Sequence, residues 1–125
     1  METPIRIAIV EDNEKIRREL SELLGRYQYQ IYAPDSFTDI VKDVLKARPQ
    51  LVLLDINLPV YDGYYVCREL RKASSVPVIV VTSRDSDMDE LMSMNLGADD
   101  FITKPYNTQI LLAPIASVLK RAYHT

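Results

Sequence analysis

Apolar positions along the chain follow two alternating patterns. Residues 5–10, interrupted only by Arg6, and residues 51–54 and 78–81 are short apolar runs, mostly β-branched or leucine. Runs of that length and composition suit strands buried on both faces. Residues 29–33 make a weaker strand, and 101–103 a short one. Between them, apolar residues recur at three- and four-residue spacing. Ile16, Leu20, Leu23 and Leu24 do so after a cap at Asn13, and Ile40, Val41, Val44 and Leu45 do so after Ser36. Val66 and Leu70 mark a third helix, residues 91–96 a fourth and 110–119 a fifth, with Pro49, Pro59, Pro77 and Pro105 at the boundaries. Strict βα alternation predicts an α/β fold: a doubly wound, five-stranded parallel sheet, with order 2-1-3-4-5 as one of two common solutions.

In such folds the ligand site lies beyond the carboxyl ends of the strands. The first polar residues there are Glu11 and Asp12 after the first strand, Asp55 after the third, Thr82 after the fourth and Lys104 after the fifth. Three carboxylates brought to one rim repel one another unless something neutralises them. Oxygen-only donors select a hard divalent cation such as magnesium or calcium. Beside one, a carboxylate acts as a nucleophile towards phosphorus, while metal and lysine stabilise the transferring charge. Singly, each residue has an ordinary role: an acidic pair caps a helix, a threonine ends a strand and a lysine lies on the surface.

Taken together, EDN (Glu11–Asn13), LLDINLPVYDG (Leu53–Gly63), VVTSR (Val80–Arg84) and GADDFITKPY (Gly97–Tyr106) resemble a response-regulator receiver domain over essentially the whole chain. The last motif is similar to the OmpR/PhoB subfamily. The resemblance implies the flavodoxin/CheY-like (βα)5 fold. It also implies Asp55 as phosphoacceptor, and magnesium held by Glu11, Asp12, Asp55 and the backbone carbonyl of Asn57. Lys104 is implied to pair with Asp55 and then with the phosphoryl group, and Thr82 and Phe101 to form the switch pair. The implied phosphodonor is a sensor histidine kinase. Catalysis would be limited to the domain's own phosphorylation and slow dephosphorylation. A receiver over 1–122 would lead at 123–125 into a linker, with DNA contacted only through a further C-terminal domain.

Bulk properties agree with a cytoplasmic module. A net charge of -3 gives no general attraction to nucleic acid, and the apolar N-terminal stretch is too short for a signal peptide or a membrane span. The single cysteine, Cys67, reads as a packing residue, and His124 as an idle terminal one. Three other functions fit less well. An aspartyl-nucleophile phosphatase would want DxD after its first strand, where this chain has Glu11-Asp12-Asn13. A degenerate receiver would have lost an acid or the lysine. A nucleotide-binding fold would need glycines in the first turn.

The output face departs from the resemblance. OmpR/PhoB-type receivers pair symmetrically through the fourth helix, fifth strand and fifth helix, using crossed acid–base contacts. Where the fifth helix usually carries an acid and then an arginine, this chain has Ile110 and Pro114. A kink or interruption near 110–114 is therefore expected. The phosphorylation-promoted homodimer should be weak, apolar and nearly insensitive to salt.

Overall fold

The computed structural model describes residues 4–123. Five parallel strands, β1 (Arg6–Val10), β2 (Gln30–Tyr32), β3 (Leu51–Leu54), β4 (Val78–Thr82) and β5 (Asp100–Thr103), lie in the order β2-β1-β3-β4-β5. Five helices alternate with them: α1 (Glu14–Arg26), α2 (Ile40–Ala47), α3 (Gly63–Ala73), α4 (Asp87–Asn95) and α5 (Thr108–Tyr123).

The period of two in each strand divides the core. Ala8, Val10, Val52, Leu54, Val78 and Val80 face a cluster closed by α2 and α3 through Ile40, Val44, Val66 and Leu70. Their neighbours Ile7, Ile9, Leu51, Leu53, Ile79 and Val81 face the opposite cluster, closed by α1 and α5 through Leu20, Leu24, Leu111 and Ile115. Successive side chains of a strand leave on opposite sides, so a strand covered on both faces must be apolar throughout. Asn13 caps α1 as expected, its Oδ1 accepting the Ile16 N–H at 3.0 Å. The helix after Ser36 begins only at Ile40, and its cap residue Asp39 makes no side-chain cap bond.

The expected break in the fifth helix is not found. α5 runs as one helix through Pro114. The proline withdraws only the N–H that would reach the carbonyl of Ile110, a residue 54% exposed. A proline costs about 3 kcal/mol within a helix. Burial of Leu111, Ile115, Val118 and Leu119 against the sheet contributes about 1.5–3 kcal/mol each and outweighs it. α5 also includes Tyr123, whose hydroxyl donates to the Gln50 carbonyl at 2.7 Å. His124 lies outside the described residues.

Gly63 is fixed by a close approach. A Cβ there would stand 2.4 Å from the Asp55 carbonyl oxygen and 2.5 Å from Ile56 Cα. Both are backbone atoms, so α3 or the loop that carries Asp55 would have to shift. Gly25, near the end of α1, has nothing within 4 Å of the equivalent position. Gly63→Ala is expected to cost about 1–3 kcal/mol by overpacking. Gly25→Ala is expected to add about 0.5–1 kcal/mol by removing glycine's entropic penalty in a helix. Denaturant midpoints at unchanged slope measure both, and equal shifts of the same sign would contradict this assignment.

Candidate phosphoacceptor site

The strand ends deliver their polar residues to one rim. Ladder bonding carries β3 past its last residue, with the Asp55 N–H donating to the Val10 carbonyl at 3.0 Å. Lys104 is held likewise by its N–H to the Thr82 carbonyl at 2.8 Å, and a cis peptide bond joins it to Pro105.

At the centre, Lys104 Nζ donates to Asp55 Oδ2 at 2.8 Å and also to Glu11 Oε1. The second oxygen of each carboxylate accepts a backbone N–H two residues further on. Asp55 Oδ1 takes that of Asn57 and Glu11 Oε2 that of Asn13, both at 3.0 Å. The side chains of Glu11 and Asp55 are 5% and 6% exposed, so they leave water only because these donors replace it. Burial holds the Glu11 carboxyl above its usual range, against the opposing Lys104 and Asn13 donors. For Lys104, burial alone would lower the ammonium's pKa, but hydrogen bonds to Asp55 and Glu11 prevail and raise it.

This arrangement corrects the expectation that three carboxylates converge. Glu11 and Asp55 share Lys104, while Asp12 is exposed. Glu11 and Asp12 are consecutive where the chain leaves β1, and successive side chains there diverge. Among the described residues no three acidic, histidine or cysteine side chains stand together as a metal-holding group. The neutralising charge here is the ammonium. The donor set nonetheless fits a hard cation, because Glu11, Asp12, Asp55 and the Asn57 carbonyl offer only oxygen.

Thr82 is fully buried at the end of β4, and its Oγ1 accepts the Arg84 N–H at 3.3 Å. Phe101 lies on β5 in register with Val80, partly buried against the α2–α3 core. The chain positions it two residues back from the position opposite Thr82, which is Thr103.

A second set of polar contacts at the mouth was not foreseen from the sequence. Arg84 Nε donates to Asn57 Oδ1 at 2.7 Å. Tyr64, in the first turn of α3, donates its hydroxyl to Asp89 Oδ1 at 2.5 Å, and the Ser86 hydroxyl donates to Asp89 Oδ2 at 2.6 Å. These hydroxyls, Ser86 first, hold the Asp89 carboxyl below its usual range. Ser86-x-x-Asp89 before a helix is a capping signal legible in sequence. The Tyr64 contact is not, since it joins elements brought together only by the folded β3–α3 loop.

Comparison with known proteins gives a consistent picture. The family model described as response regulator receiver domain matches residues 7–116. The transcriptional regulatory protein YxdJ of Bacillus subtilis is 46% identical over 118 residues, which are 94% of this chain and 52% of that protein. The sensory transduction protein BceR of Halalkalibacterium halodurans is 38% identical over 119 residues, 95% of this chain and 52% of BceR. The chain thus spans about half the length of these curated relatives. Among solved structures, the BeF3-activated N-terminal receiver domain of Klebsiella pneumoniae RstA superposes with a TM-score of 0.88 at 33% identity, covering 92% of this chain and 98% of that one.

Proposed function

The chain belongs to the response regulator receiver domain family, and from that premise we propose that it is a magnesium-dependent phosphoacceptor switch of a transcriptional regulator of OmpR/PhoB type. Its proposed setting is the cytoplasm, and its proposed phosphodonor is a sensor histidine kinase. Among the described residues no helix is long and apolar enough to cross a membrane. DNA contact is assigned to a further domain, joined by a linker that follows α5 rather than starting at residue 123, which the helix includes.

The observation that carries this reading is Asp55 itself. It is a buried carboxylate whose two oxygens are oriented by the Asn57 N–H and the Lys104 ammonium. In the proposed transfer, an Asp55 oxygen forms a bond to phosphorus as the bond from phosphorus to the donor's imidazole nitrogen breaks. The imidazole leaves with that electron pair and ends neutral. Lys104 then lies where it can balance the charge of the new phosphoryl group, and Thr82 Oγ1 can donate to one of its oxygens once the group arrives. Magnesium, when bound by Glu11, Asp12, Asp55 and the Asn57 carbonyl, supplies further charge stabilisation. Acetyl phosphate with magnesium is expected to add one phosphoryl group, read by intact mass. Rapid turnover of a small phosphomonoester without such an adduct would favour the phosphatase reading instead.

Magnesium without phosphate should bind weakly, since an open site leaves the ion several waters. Asp12→Ala should weaken binding more than Glu11→Ala, because the Asp12 carboxylate has no hydrogen-bond partner among the described residues while that of Glu11 is already held by Lys104. Equal and negligible effects in a titration would remove these residues from the metal site.

Phosphorylation is proposed to act through α4, β5 and α5. Ile110, Met88, Leu91 and Met92 are exposed there, and from residue 85 to 119 the only Lys or Arg is Lys104, committed to the site. Asp85, Asp87, Glu90, Asp99 and Asp100 have no cation in that span to cross-pair with. A symmetric pair presents each patch to itself, so a dimer centred on residues 85–119 should be apolar and weak, the exposed Lys120 and Arg121 lying only in the last turn of α5. Exposed ion pairs contribute only about 0–1 kcal/mol each, so their loss does not forbid association. Sedimentation with beryllofluoride should show a dimer that added salt does not dissociate, and Pro114→Arg should tighten it. Steep dissociation with salt would refute this.

A further inference from the structure

α4 is the helix least held by the core. Its single buried side chain is Ser93, and Met88, Leu91, Met92 and Met94 are all 41% exposed or more. What ties its first turn to the rest of the domain is polar. Asp89 accepts the Tyr64 hydroxyl at 2.5 Å, and Arg84 Nη1 stands 3.9 Å from the same carboxylate oxygen. The Arg84 guanidinium also lies over the Tyr64 ring, 5.8 Å from its centroid, and reaches Asn57 Oδ1 through Nε. Asn57 in turn donates its N–H to Asp55 Oδ1. An unbroken series of contacts therefore runs from the proposed phosphoacceptor to the first turn of a weakly anchored helix.

We propose that Tyr64, Arg84 and Asp89 form a latch that holds α4 in its resting position and that opens when an anion is added at Asp55. The physical reason is competition for one cation. Arg84 sits between the two loops that frame Asp55 and shares its charge with a half-buried carboxylate, that of Asp89. A dianionic group on Asp55 is the stronger acceptor and draws Arg84 towards it. Asp89 then loses its cation, Tyr64 loses the charge over its ring, and little apolar burial remains to fix α4. The three are positioning residues, since none need touch the phosphoryl donor. This opening step rests on Asp55 being the phosphoacceptor.

Tyr64→Phe tests it, because the ring stays over Arg84 and only the hydroxyl goes; Asp89→Ala is the second variant, since it removes the acceptor altogether. Without any activator, amides of the first α4 turn should exchange hydrogen faster in both variants. The apparent affinity for beryllofluoride with magnesium should rise roughly twofold to tenfold, since a resting state weakened by one hydrogen bond opposes activation less. The double variant should gain no more than Asp89→Ala alone, since the alanine already removes the acceptor of the Tyr64 hydroxyl. A contact that only supports the fold would lower the melting temperature and leave that affinity unchanged or weaker, and this result would overturn the switch role. Unchanged exchange in α4 would overturn the latch itself, independently of Asp55. A wild-type protein that ignores beryllofluoride would strike the phosphoacceptor reading and the opening step with it, while the exchange measurement still decides the resting contact.

Discussion

Asp55→Asn protein is expected to gain no mass on incubation with acetyl phosphate and magnesium, while the unaltered protein gains one phosphoryl group that hydroxylamine removes. The reason is chemical rather than steric. An amide oxygen has too little nucleophilicity to form an acyl phosphate, whereas a carboxylate oxygen oriented by two donors can attack phosphorus. The geometry should survive the change, because the amide oxygen can still accept from the Asn57 N–H or from Lys104. Glu11 would then be the principal partner of the ammonium, so the fold should lose little. The other carboxylates do not substitute. Glu11 is engaged at both oxygens, and Asp12 is exposed and is not one of the carboxylates paired with Lys104 among the described residues. An Asp55→Asn protein that still took up the group at wild-type rate would refute the assignment, and mapping the adduct would locate the true acceptor.

Lys104→Ala is expected to be the most destabilising change at the rim. One ammonium serves two carboxylates that are 5% and 6% exposed, and its own side chain is 15% exposed. Its removal leaves two buried anions facing each other. Taking one partner from a buried pair costs about 3–5 kcal/mol because the remaining charge is uncompensated. Part of that loss should be recovered by magnesium, which supplies the missing positive charge and binds the folded state preferentially. The recovered protein should still switch poorly. The ammonium connects the charge at Asp55 to the end of β5, and Phe101 lies three residues before it. Denaturant midpoints with and without magnesium, and amide shifts on adding beryllofluoride, measure the two parts. Wild-type stability without the metal, or wild-type shifts along β5, would remove Lys104 from this role.

Sequence by itself determined the architecture. Strands apolar at every position can be satisfied only by helices on both faces, and the βα alternation supplied them; Ile7 and Ala8 do lie in opposite clusters. Strand ends could also be read, because the first polar residue after a buried run must emerge at the rim, which brought Glu11, Asp55, Thr82 and Lys104 into view. Tertiary structure decided what those residues do to one another. It turned Asp12 outward and Glu11 inward, a choice that depends on where the chain bends into α1. It put the lysine, not a third carboxylate, between the two acids. Local propensity predicted a broken α5, and packing overruled it, since one lost backbone bond is smaller than the burial of Leu111, Ile115, Val118 and Leu119. The contact of Tyr64 with Asp89 had no sequence signal beyond the cap at Ser86. A pairing between residues 25 positions apart follows no helical or strand period, and only the closed β3–α3 loop, which Gly63 permits, sets its distance.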